Sequence, residues 1–390
     1  MLDAAFRAAL AVLPCCTACA TPVPPTIASS GQGAVAVTTG AFPVRELSGI
    51  AWIGGSNFVS VGDNGVNDLW RLDVPVHPVT GQLGAAAVTG SLTVPGLAID
   101  GEGVVYLPAR GSVLVSDEAS SSIREFSLAD GSAVGTVAVP QIYRAPNLRS
   151  NFGLEALGAR DGFVWTANEE ALASDGSVST TATGTLVRIQ RFTPAFAPAG
   201  QWAYRTDPIS ALTPLVDVER SGVVEVLPIG PSAALVLERE CGGALVPDFR
   251  SRIYHVDVAG ADDVSQRASL AKGGFTPLAK TLLWQGDFPL ANFEGMTLGP
   301  QLADGCAALI LVSDDGGGAN GQQLRLLSLR LCGVVACTPD LDGSGAVDGG
   351  DLSMLLGAWS ALGSSADLDG DGIVGGGDLA ILLGSWGTCG

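Results

Sequence analysis

The sequence predicts an all-β fold, a β-propeller of five blades, joined to a small α-helical domain with calcium-binding loops. Three observations predict it: a repeated set of strand-like segments, a composition rich in turn residues, and an acidic segment written twice near the C-terminus. The 390 residues include 53 Gly and 22 Pro, and hydrophobic residues make up 47%. Short strands joined by tight turns suit this composition better than long helices do.

The repeat has five units, and the units share three kinds of segment. The first segments read LSGIAW, GEGVVY, GLEALG, RSGVVE and FEGMTL. The second segments have acidic ends and read FVSVGDN, VLVSDEA, FVWTANEE, AALVLERE and ALILVSDD. The third segments each carry an arginine, at Arg71, Arg124, Arg188, Arg252 and Arg325. With a fourth strand, such units form the radial sheets of a β-propeller.

The first four units supply that fourth apolar segment, but the fifth unit ends at Cys332 without one. The segment GAVAVTTG at residues 33–40 offers the missing strand from the other end of the chain. Pairing it with the last unit closes the ring and removes the free sheet edges. We therefore predict a propeller domain over residues 31–332. Unit lengths of roughly 51–75 residues leave room for a sixth blade.

The duplicated segment reads PDLDGSGAVDGGDLSMLLGAWS and then ADLDGDGIVGGGDLAILLGSWG. In each copy, residues with oxygen ligands alternate around a glycine, as a twelve-residue calcium loop requires. The predicted ligands of the first loop are Asp340, Asp342, Ser344, Ala346 (through its carbonyl), Asp348 and Asp351. Those of the second loop are Asp367, Asp369, Asp371, Ile373 (through its carbonyl) and Asp378. We expect the second site to be weaker, because Gly375 stands where the first loop has an aspartate.

Each loop runs into an apolar segment with helical spacing. Leu352, Leu355, Leu356 and Trp359 recur as Leu379, Leu382, Leu383 and Trp386. Two such units between Cys337 and Cys389 resemble the type I dockerin family, in the form found in planctomycete bacteria. The resemblance covers about residues 337–390. It implies two calcium sites, calcium-dependent folding, and docking onto a cohesin-like domain or a cell-surface component. We place this domain at residues 340–390, after a linker at 333–339.

The first 20 residues have the pattern of a secretory signal peptide. Arg7 precedes an apolar run that ends in the small residues Ala18, Cys19 and Ala20. We predict cleavage near Ala20 and export to the periplasm, the cell surface or the medium, with lipid attachment at Cys19 as an alternative. No later apolar run reaches the roughly 20 residues that span a membrane.

Export permits disulfide bonds. Cys306 and Cys332 lie at the outer ends of a predicted hairpin, and Cys337 and Cys389 bracket the duplicated segment. These are the pairings we expect, with Cys241 left over, although the sequence does not fix the connectivity.

The net charge of the chain indicates which classes of partner it can bind. The chain has 39 acidic and 20 basic residues, and its net charge is −19. Such a balance argues against a nucleic-acid partner and favours cations such as Ca²⁺.

The repeated segments also resemble a known family. ELSGIAW with VSVGDNG, GLEALG with VWTANEE, VLERE with RIYHVDV, and NFEGMTLG with LILVSDD are similar to the phytase-like family described as having esterase-like activity. The resemblance covers nearly all of residues 40–332. It implies a secreted propeller that hydrolyses phosphoesters or other esters.

Aligning the units predicts where the chemistry lies. The innermost strands begin near Ser48, Glu102, Glu155, Ser221 and Glu294. The second strands end in Asp63, Asp117, Glu118, Glu169, Glu238, Glu240, Asp314 and Asp315. A ring of these carboxylates would hold further Ca²⁺ in the propeller, and one carboxylate would take a proton from water. The predicted catalytic residues are Glu102, Glu155, Glu294 and Asp314, and the predicted residues for a small anionic substrate are Arg239 and Glu240.

A structural interpretation competes with this one. In the first two units the repeated arginine follows the repeated acid by seven or eight residues, a separation that suits a salt bridge across a hairpin. The alternative function is therefore a non-catalytic propeller that serves as a binding scaffold. A covalent mechanism has little support, because the chain has two histidines, His77 and His255, and no G-x-S-x-G motif. A close cluster of the predicted acids would favour metal chemistry, and acids paired with the arginines of their own blades would favour the scaffold.

Overall fold

The computed structural model describes residues 24–63, 67–95, 100–149, 152–210, 220–242, 246–334, 339–342, 346–362, 364–368 and 372–388. Within these ranges the secondary structure is mostly β, as predicted, with 23 strands and two α-helices. The chain begins with β1 (Thr26–Ser29) and β2 (Val35–Thr38). The predicted signal peptide lies outside the described residues.

Each repeat unit forms an antiparallel set of strands, which we call a blade. Blade one contains β3 (Leu47–Gly54), β4 (Asn57–Gly62), β5 (Asp68–Asp73) and β6 (Ala86–Thr93). Blade two contains β7 (Gly101–Leu107), β8 (Ser112–Asp117), β9 (Ser122–Ser127) and β10 (Ala133–Thr136). Blade three contains β11 (Leu154–Arg160), β12 (Phe163–Asn168), β13 (Leu186–Phe192) and β14 (Pro198–Arg205). Blade four contains β15 (Arg220–Pro228), β16 (Ala233–Gly242), β17 (Asp248–Asp257) and β18 (Ala279–Pro289). Blade five contains β19 (Asn292–Gln301), β20 (Ala307–Asp314) and β21 (Arg325–Cys332).

The N-terminal strands complete blade five. Strand β1 pairs antiparallel with β21, Thr26 lying opposite Cys332. The start of β2 pairs with the other half of β21, and its end pairs parallel with β6 of blade one. The N-terminal segment therefore closes the ring, as expected. The pairing begins at Thr26, ahead of residue 31, because one short strand does not cover the whole edge of the eight-residue β21.

The first strand of each blade contacts the first strands of its two neighbours, in the cyclic order β3, β7, β11, β15, β19 and back to β3. Glycines in the repeated first segments allow this close approach. A Cβ atom on Gly49 would lie 2.4 Å from the carbonyl oxygen of Glu102, and one on Gly103 would lie 2.6 Å from Cβ of Leu157. The described residues thus form a β-propeller-like ring of five blades.

The core lies between neighbouring blades. Val59 and Val61 of blade one share an apolar cluster with Val113 and Val115 of blade two. Similar clusters fill the spaces between the other neighbouring blades. Alternate side chains of each strand point to opposite faces of a sheet. Strands buried on both faces therefore need the near-continuous apolar runs that the sequence shows.

The predicted bond between Cys306 and Cys332 is present, and it joins the strands β20 and β21 at their outer ends. Cys241 forms no disulfide with another described cysteine, and Cys337 and Cys389 lie outside the described residues. The described chain contains no helix with the length and apolarity needed to cross a bilayer.

The predicted helices of the C-terminal segment are also present. They are α1 (Gly349–Gly357) and α2 (Gly376–Gly384), accompanied by the paired strands β22 (Ala346–Val347) and β23 (Gly387–Thr388). Leu355 and Leu382 are fully buried at the centre of a small separate core. The repeated pattern has a second face that this core does not cover: Leu356, Trp359, Leu383 and Trp386 are exposed.

A buried glutamate ties two blades together. Glu225 on β15 accepts hydrogen bonds from the backbone N–H groups of Val226 at 2.8 Å and of Leu157, in blade three, at 2.9 Å. Burial raises the pKa of Glu225 to about 8, although these N–H groups act in the opposite direction. The folded protein therefore holds a proton at Glu225 between about pH 4.5 and 8, where the unfolded chain has released it.

We expect Glu225→Gln to make the free energy of unfolding less dependent on pH. The stability linked to this proton is complete below about pH 4.5 and is lost as the pH rises to about 8. As the pH rises through that window, the free energy of unfolding of the variant, relative to that of the natural protein, should increase by up to about 1.4 kcal/mol per pH unit. Denaturant unfolding of both proteins at several pH values measures the difference. A constant difference from pH 4.5 to 8 would contradict the expectation.

Candidate functional site

Acidic side chains gather at the end of the ring where the inner strands begin. We call this end the acidic mouth and define it by Asp63, Asp100, Glu102, Glu118, Glu155, Glu169, Asn292, Glu294, Asp314 and Arg239. Two groups of three carboxylates have oxygen atoms within 4.8 Å of one another. One group is Asp63, Asp100 and Glu102, and the other is Glu102, Glu118 and Glu155. Glu102 is therefore shared by the two groups.

The blade architecture places these acids. Glu102 and Glu155 are the second residues of the inner strands β7 and β11. Asp63 and Glu118 directly follow the second strands β4 and β8. Because the second strand of a blade runs antiparallel to the first, its end lies beside the start of the first strand. The repeat therefore brings acids from three blades to the same end of the ring.

Burial and mutual repulsion disfavour the charged forms of these acids. Burial, followed by the hydrogen bond and charge of Asp100, raises the pKa of Asp63 to about 9. The pKa values of Glu102 and Glu155 are raised well above 4.5, first by burial and then by the neighbouring carboxylates. None of the five acids in the two triads forms a salt bridge in the described part of the chain. Protons or cations must therefore neutralise them.

Arg239 neutralises the other half of the mouth. Its Nη2 lies 3.0 Å from Oε1 of Glu169 and 2.9 Å from Oε1 of Glu294. Burial opposes the charge of Arg239, but the two carboxylates outweigh burial and raise its pKa. Glu294 has its pKa raised to about 8 by burial, with Arg239 acting in the opposite direction. The mouth thus has an arginine side and a side without a basic partner.

Three buried polar atoms of the mouth lack a hydrogen-bond partner among the described residues. They are Oδ1 of Asp63, Nε of Arg239 and Oδ1 of Asn292. A buried polar atom without a partner costs about 1–3 kcal/mol. Both sides of the mouth therefore contain atoms that a bound ligand or ion would satisfy.

The structure brings the four predicted catalytic residues to this mouth. Glu102 and Glu155 belong to the triads. Glu294 and Asp314 are connected through Asn292, whose Nδ2 donates to Glu294 Oε1 at 2.8 Å and to Asp314 Oδ2 at 3.4 Å. Burial is also the main cause of the raised pKa of Asp314.

The two predicted substrate-binding residues lie apart. Arg239 faces the mouth, whereas Glu240 accepts hydrogen bonds from Arg252 Nη2 at 2.9 Å and from the backbone N–H of Ser210 at 2.8 Å. Successive side chains of a strand point to opposite faces of the sheet. Glu240 is therefore separated from the acidic cluster by its position on β16.

The predicted pairing of acid and arginine within a blade occurs in two blades. Arg124 lies 3.3 Å from Asp117, and Arg252 lies 2.9 Å from Glu240. In blade one, by contrast, Arg71 donates to the carbonyl oxygen of Leu128. Salt bridges within a blade therefore explain why acids occur at Asp117 and Glu240, but they do not explain the acids of the two triads.

Sequence reasoning missed two residues of the mouth, Asp100 and Asn292. Each lies two residues before an acid that the alignment of the units identified, Glu102 and Glu294. An acid or amide at the start of an inner strand or directly before it was therefore an available signal.

The C-terminal segment contains a second acidic group. Carboxylate oxygens of Asp340, Asp342 and Asp351 lie within 4.8 Å of one another. Asp351 accepts hydrogen bonds from the backbone N–H groups of Asp342 at 3.0 Å and of Asp348 at 2.7 Å. Asp348 also caps α1 by accepting from Gly350 N.

The second copy repeats this arrangement. Asp378 accepts from the backbone N–H groups of Leu368 at 2.6 Å and of Gly375 at 2.5 Å, and Asp367 accepts from that of Gly372 at 2.9 Å. Ala346 begins β22, and Ile373 forms a bridge with Leu362. Three predicted ligands, Ser344, Asp369 and Asp371, lie outside the described residues.

A family model described as "Phytase-like: Esterase-like activity of phytase" matches residues 43–317. No curated protein matches the chain. Among solved structures, a member of the DUF4221 family from Bacteroides vulgatus shares 8% identity with a TM-score of 0.37, over 79% of this chain and 98% of that chain. The PQQ-bound aldose sugar dehydrogenase from Streptomyces coelicolor shares 11% identity with a TM-score of 0.38, over 80% of this chain and 99% of that chain.

Proposed function

The chain belongs to the phytase-like family, described by the esterase-like activity of phytase, and from this premise we propose a cation-assisted hydrolase of phosphoesters or other esters. The proposed active site is the acidic mouth. The observation that carries the proposal is the pair of carboxylate triads that share Glu102. Close, buried carboxylates without basic partners are costly in their charged forms unless cations bind between them.

The residues of the mouth fit divalent cations. Ca²⁺ prefers about six to eight oxygen ligands, and the two triads supply carboxylate oxygens that lie within 4.8 Å of one another. The unpartnered Oδ1 of Asp63 is one of the oxygens available. Glu102 would hold two cations, one with Asp63 and Asp100 and one with Glu118 and Glu155. When bound, the cations would offset the negative charge of a phosphoester and polarise it.

The protein's own residues supply the rest of the chemistry. The hydrogen bonds that Glu294 accepts from described residues, Arg239 and Asn292, both end on Oε1. These bonds orient the carboxylate and leave Oε2 to accept a proton from water. Because its pKa is raised from 4.5 to about 8, the deprotonated Glu294 is a stronger base than an ordinary glutamate, and its basic form increases as the pH rises towards 8. Arg239 has a buried Nε–H without a partner in the described part of the chain, and this group would donate to an oxygen of an anionic substrate. Asp314 positions Asn292.

The test is hydrolysis by the full chain, first stripped of metal with a chelator and then supplied with Ca²⁺. Aryl phosphates, aryl carboxylate esters and phytate serve as substrates. We expect turnover that needs Ca²⁺ and that decreases when Glu294 is replaced by Gln. No turnover of any substrate by the folded protein would overturn the proposal and favour the alternative, a non-catalytic scaffold.

We also propose that residues 340–390 form a dockerin domain that binds two Ca²⁺ and attaches the exported protein to a cohesin-like domain or the cell surface. The carboxylate group of the first loop and the matching hydrogen bonds of Asp351 and Asp378 support it. The exposed Trp359 and Trp386 would lie in the binding surface. Residues 31–332 would be the propeller domain, 333–339 the linker, and 1–20 the removed signal peptide.

Asp351→Asn is expected to weaken Ca²⁺ binding by the first loop about tenfold or more, because it removes a charged ligand. Trp359 follows α1, so its fluorescence provides a signal during Ca²⁺ titration of the full chain. Asp130→Asn, which changes an exposed aspartate of blade two, is the control. Equal titration curves for the two variants would argue against the proposed loop.

A further inference from the structure

A cleft lies at the end of the ring opposite the acidic mouth, where the inner strands end. It consists of two cavities of about 280 and 360 Å³. Tyr106, Pro108, Ala159 and Arg160 line both. We call it the rear cleft and define it by these residues together with Trp52 and Phe196. Its cavities fall at about the size of small-molecule sites, ~300–1,000 Å³.

The C-terminal segment forms one wall of the rear cleft. Asp340, Leu341 and Ser365 line the first cavity, and Asp342 lines the second. A Cβ atom on Gly54, at the end of β3, would lie 3.0 Å from the backbone nitrogen of Ser365. The cleft is therefore a closely packed joint between the ring and the C-terminal segment.

Aromatic side chains from three blades line the other walls. Trp52 comes from β3, Tyr106 from β7, and Phe196 from the turn between β13 and β14. Burial raises the pKa of Tyr106, so its phenol stays neutral. Trp52 is held by a hydrogen bond from Nε1 to the carbonyl oxygen of Gly55 at 2.9 Å. Flat apolar surfaces in fixed positions suit a ligand with an apolar ring face.

Groups of both charges lie beside these aromatic rings. Arg160 Nε lies 3.8 Å from Asp161 Oδ1. Burial lowers the pKa of Arg160, and the charges of Asp161 and Asp340 act in the opposite direction. Gln301 adds an amide, which both donates and accepts hydrogen bonds. A ligand with one fixed charge would be attracted by one of these groups and repelled by another. The hydroxyl groups of a ligand suit groups of both charges, because a hydroxyl can accept a hydrogen bond from Arg160 and donate one to Asp161.

We propose that the rear cleft binds a neutral saccharide. One sugar ring stacks on Trp52 or Tyr106, and its hydroxyl groups form hydrogen bonds with Arg160, Asp161 and Gln301. The site is independent of the acidic mouth, since the two lie at opposite ends of the inner strands. It would hold a carbohydrate at the joint between the ring and the C-terminal segment.

The test is calorimetric titration of the full chain with neutral disaccharides: cellobiose, xylobiose, laminaribiose and N,N′-diacetylchitobiose. At least one should bind in the millimolar range or tighter. Trp52→Ala should weaken that binding about tenfold or more, as truncation of an aromatic anchor does. Ala159→Phe should block it by filling the cleft without removing a wall. Leu282→Ala, which truncates an exposed apolar side chain of β18, should leave the affinity unchanged.

Three results would overturn the proposal. The first is that no disaccharide of the panel binds at millimolar concentration. The second is that binding survives unchanged in both Trp52→Ala and Ala159→Phe. The third is that benzoate or benzyltrimethylammonium binds in the rear cleft more tightly than every disaccharide, since that would assign the cleft to a charged ligand. Loss of hydrolysis at the acidic mouth is not among these results, because the two sites are read out separately.

Discussion

Replacing Glu102 by glutamine is expected to abolish cation-dependent hydrolysis at the acidic mouth. Glu102 is the one residue that belongs to both carboxylate triads, so the substitution removes a charged ligand from two proposed cation sites at once. Residues that only support metal ligands already cost about 10–100-fold when they are replaced. We therefore expect kcat/KM to decrease by about 100-fold or more, together with weaker Ca²⁺ binding to the ring. Steady-state kinetics over a range of Ca²⁺ concentrations measures both effects.

Two other glutamates provide controls for Glu102→Gln. Glu155 belongs to a single triad, so Glu155→Gln should disturb one cation site and reduce activity less. Glu225 is also buried on an inner strand, β15, but contacts backbone N–H groups instead of other acids. Glu225→Gln should therefore retain activity. If Glu102→Gln folds and keeps both its Ca²⁺ affinity and its activity, the acidic mouth is not the hydrolytic site.

The position of the acids was predictable because each blade repeats the same geometry. Once the units are aligned, Glu102 and Glu155 fall at the start of inner strands, and Asp63 falls at the end of a second strand. Antiparallel pairing then places the two kinds of position side by side. The sequence thus predicts that acids meet at one mouth. Which of them come within 4.8 Å of one another depends on the angles between blades, which the repeat does not specify.

The sequence analysis predicts that Arg239 and Glu240 bind a substrate together, but residues adjacent in sequence need not face the same site. The two residues are neighbours on β16, and alternation separates their side chains. The partners of Arg239 lie 70 and 55 residues away along the chain. Within blade three, Arg188 pairs at 2.6 Å with Asp175, in the loop between β12 and β13, instead of with an acid at the end of its neighbouring strand. The partner of an arginine in the ring therefore depends on three-dimensional packing, which the spacing of residues along the sequence does not reveal.

The sequence predicted that the N-terminal segment closes the ring, but it predicted only part of the segment that pairs with β21. Counting strands showed that blade five lacked one, and the N-terminal segment was available to complete it. The prediction was that residues 33–40 alone supply the missing strand, whereas β21 pairs with both β1 and the start of β2. The short run at Thr26–Ser29 has little apolar content to mark it as a strand. Its backbone hydrogen bonds to β21 depend on the partner edge rather than on its own side chains.

The substitution Arg239→Met is expected to lower the free energy of unfolding by about 3–5 kcal/mol near pH 8 and above, because it removes one partner of a buried ionic group. Glu169 and Glu294, whose Oε1 atoms both contact Arg239 Nη2, would lose that cation. Their pKa values, already raised by burial, would increase further. A raised folded-state pKa means that the associated stability is present below about pH 4.5 and is lost as the pH rises. The deficit should therefore be smaller near pH 5, where both acids can keep their protons.

Denaturant unfolding of Arg239→Met and the natural protein at pH 5 and pH 8, each with and without Ca²⁺, measures the effect of the substitution. Ca²⁺ should recover part of the loss at pH 8, since a cation between two carboxylates can replace the guanidinium. Arg250→Met in the same blade is the matched control, because Arg250 pairs with the exposed Asp287 and should cost no more than about 1 kcal/mol. A deficit for Arg239→Met that equals this control, or that is the same at both pH values, would show that Arg239 does not hold the two glutamates in their charged forms. The mouth would then be neutralised by protons on both sides, and the division into an arginine side and a cation side would be wrong.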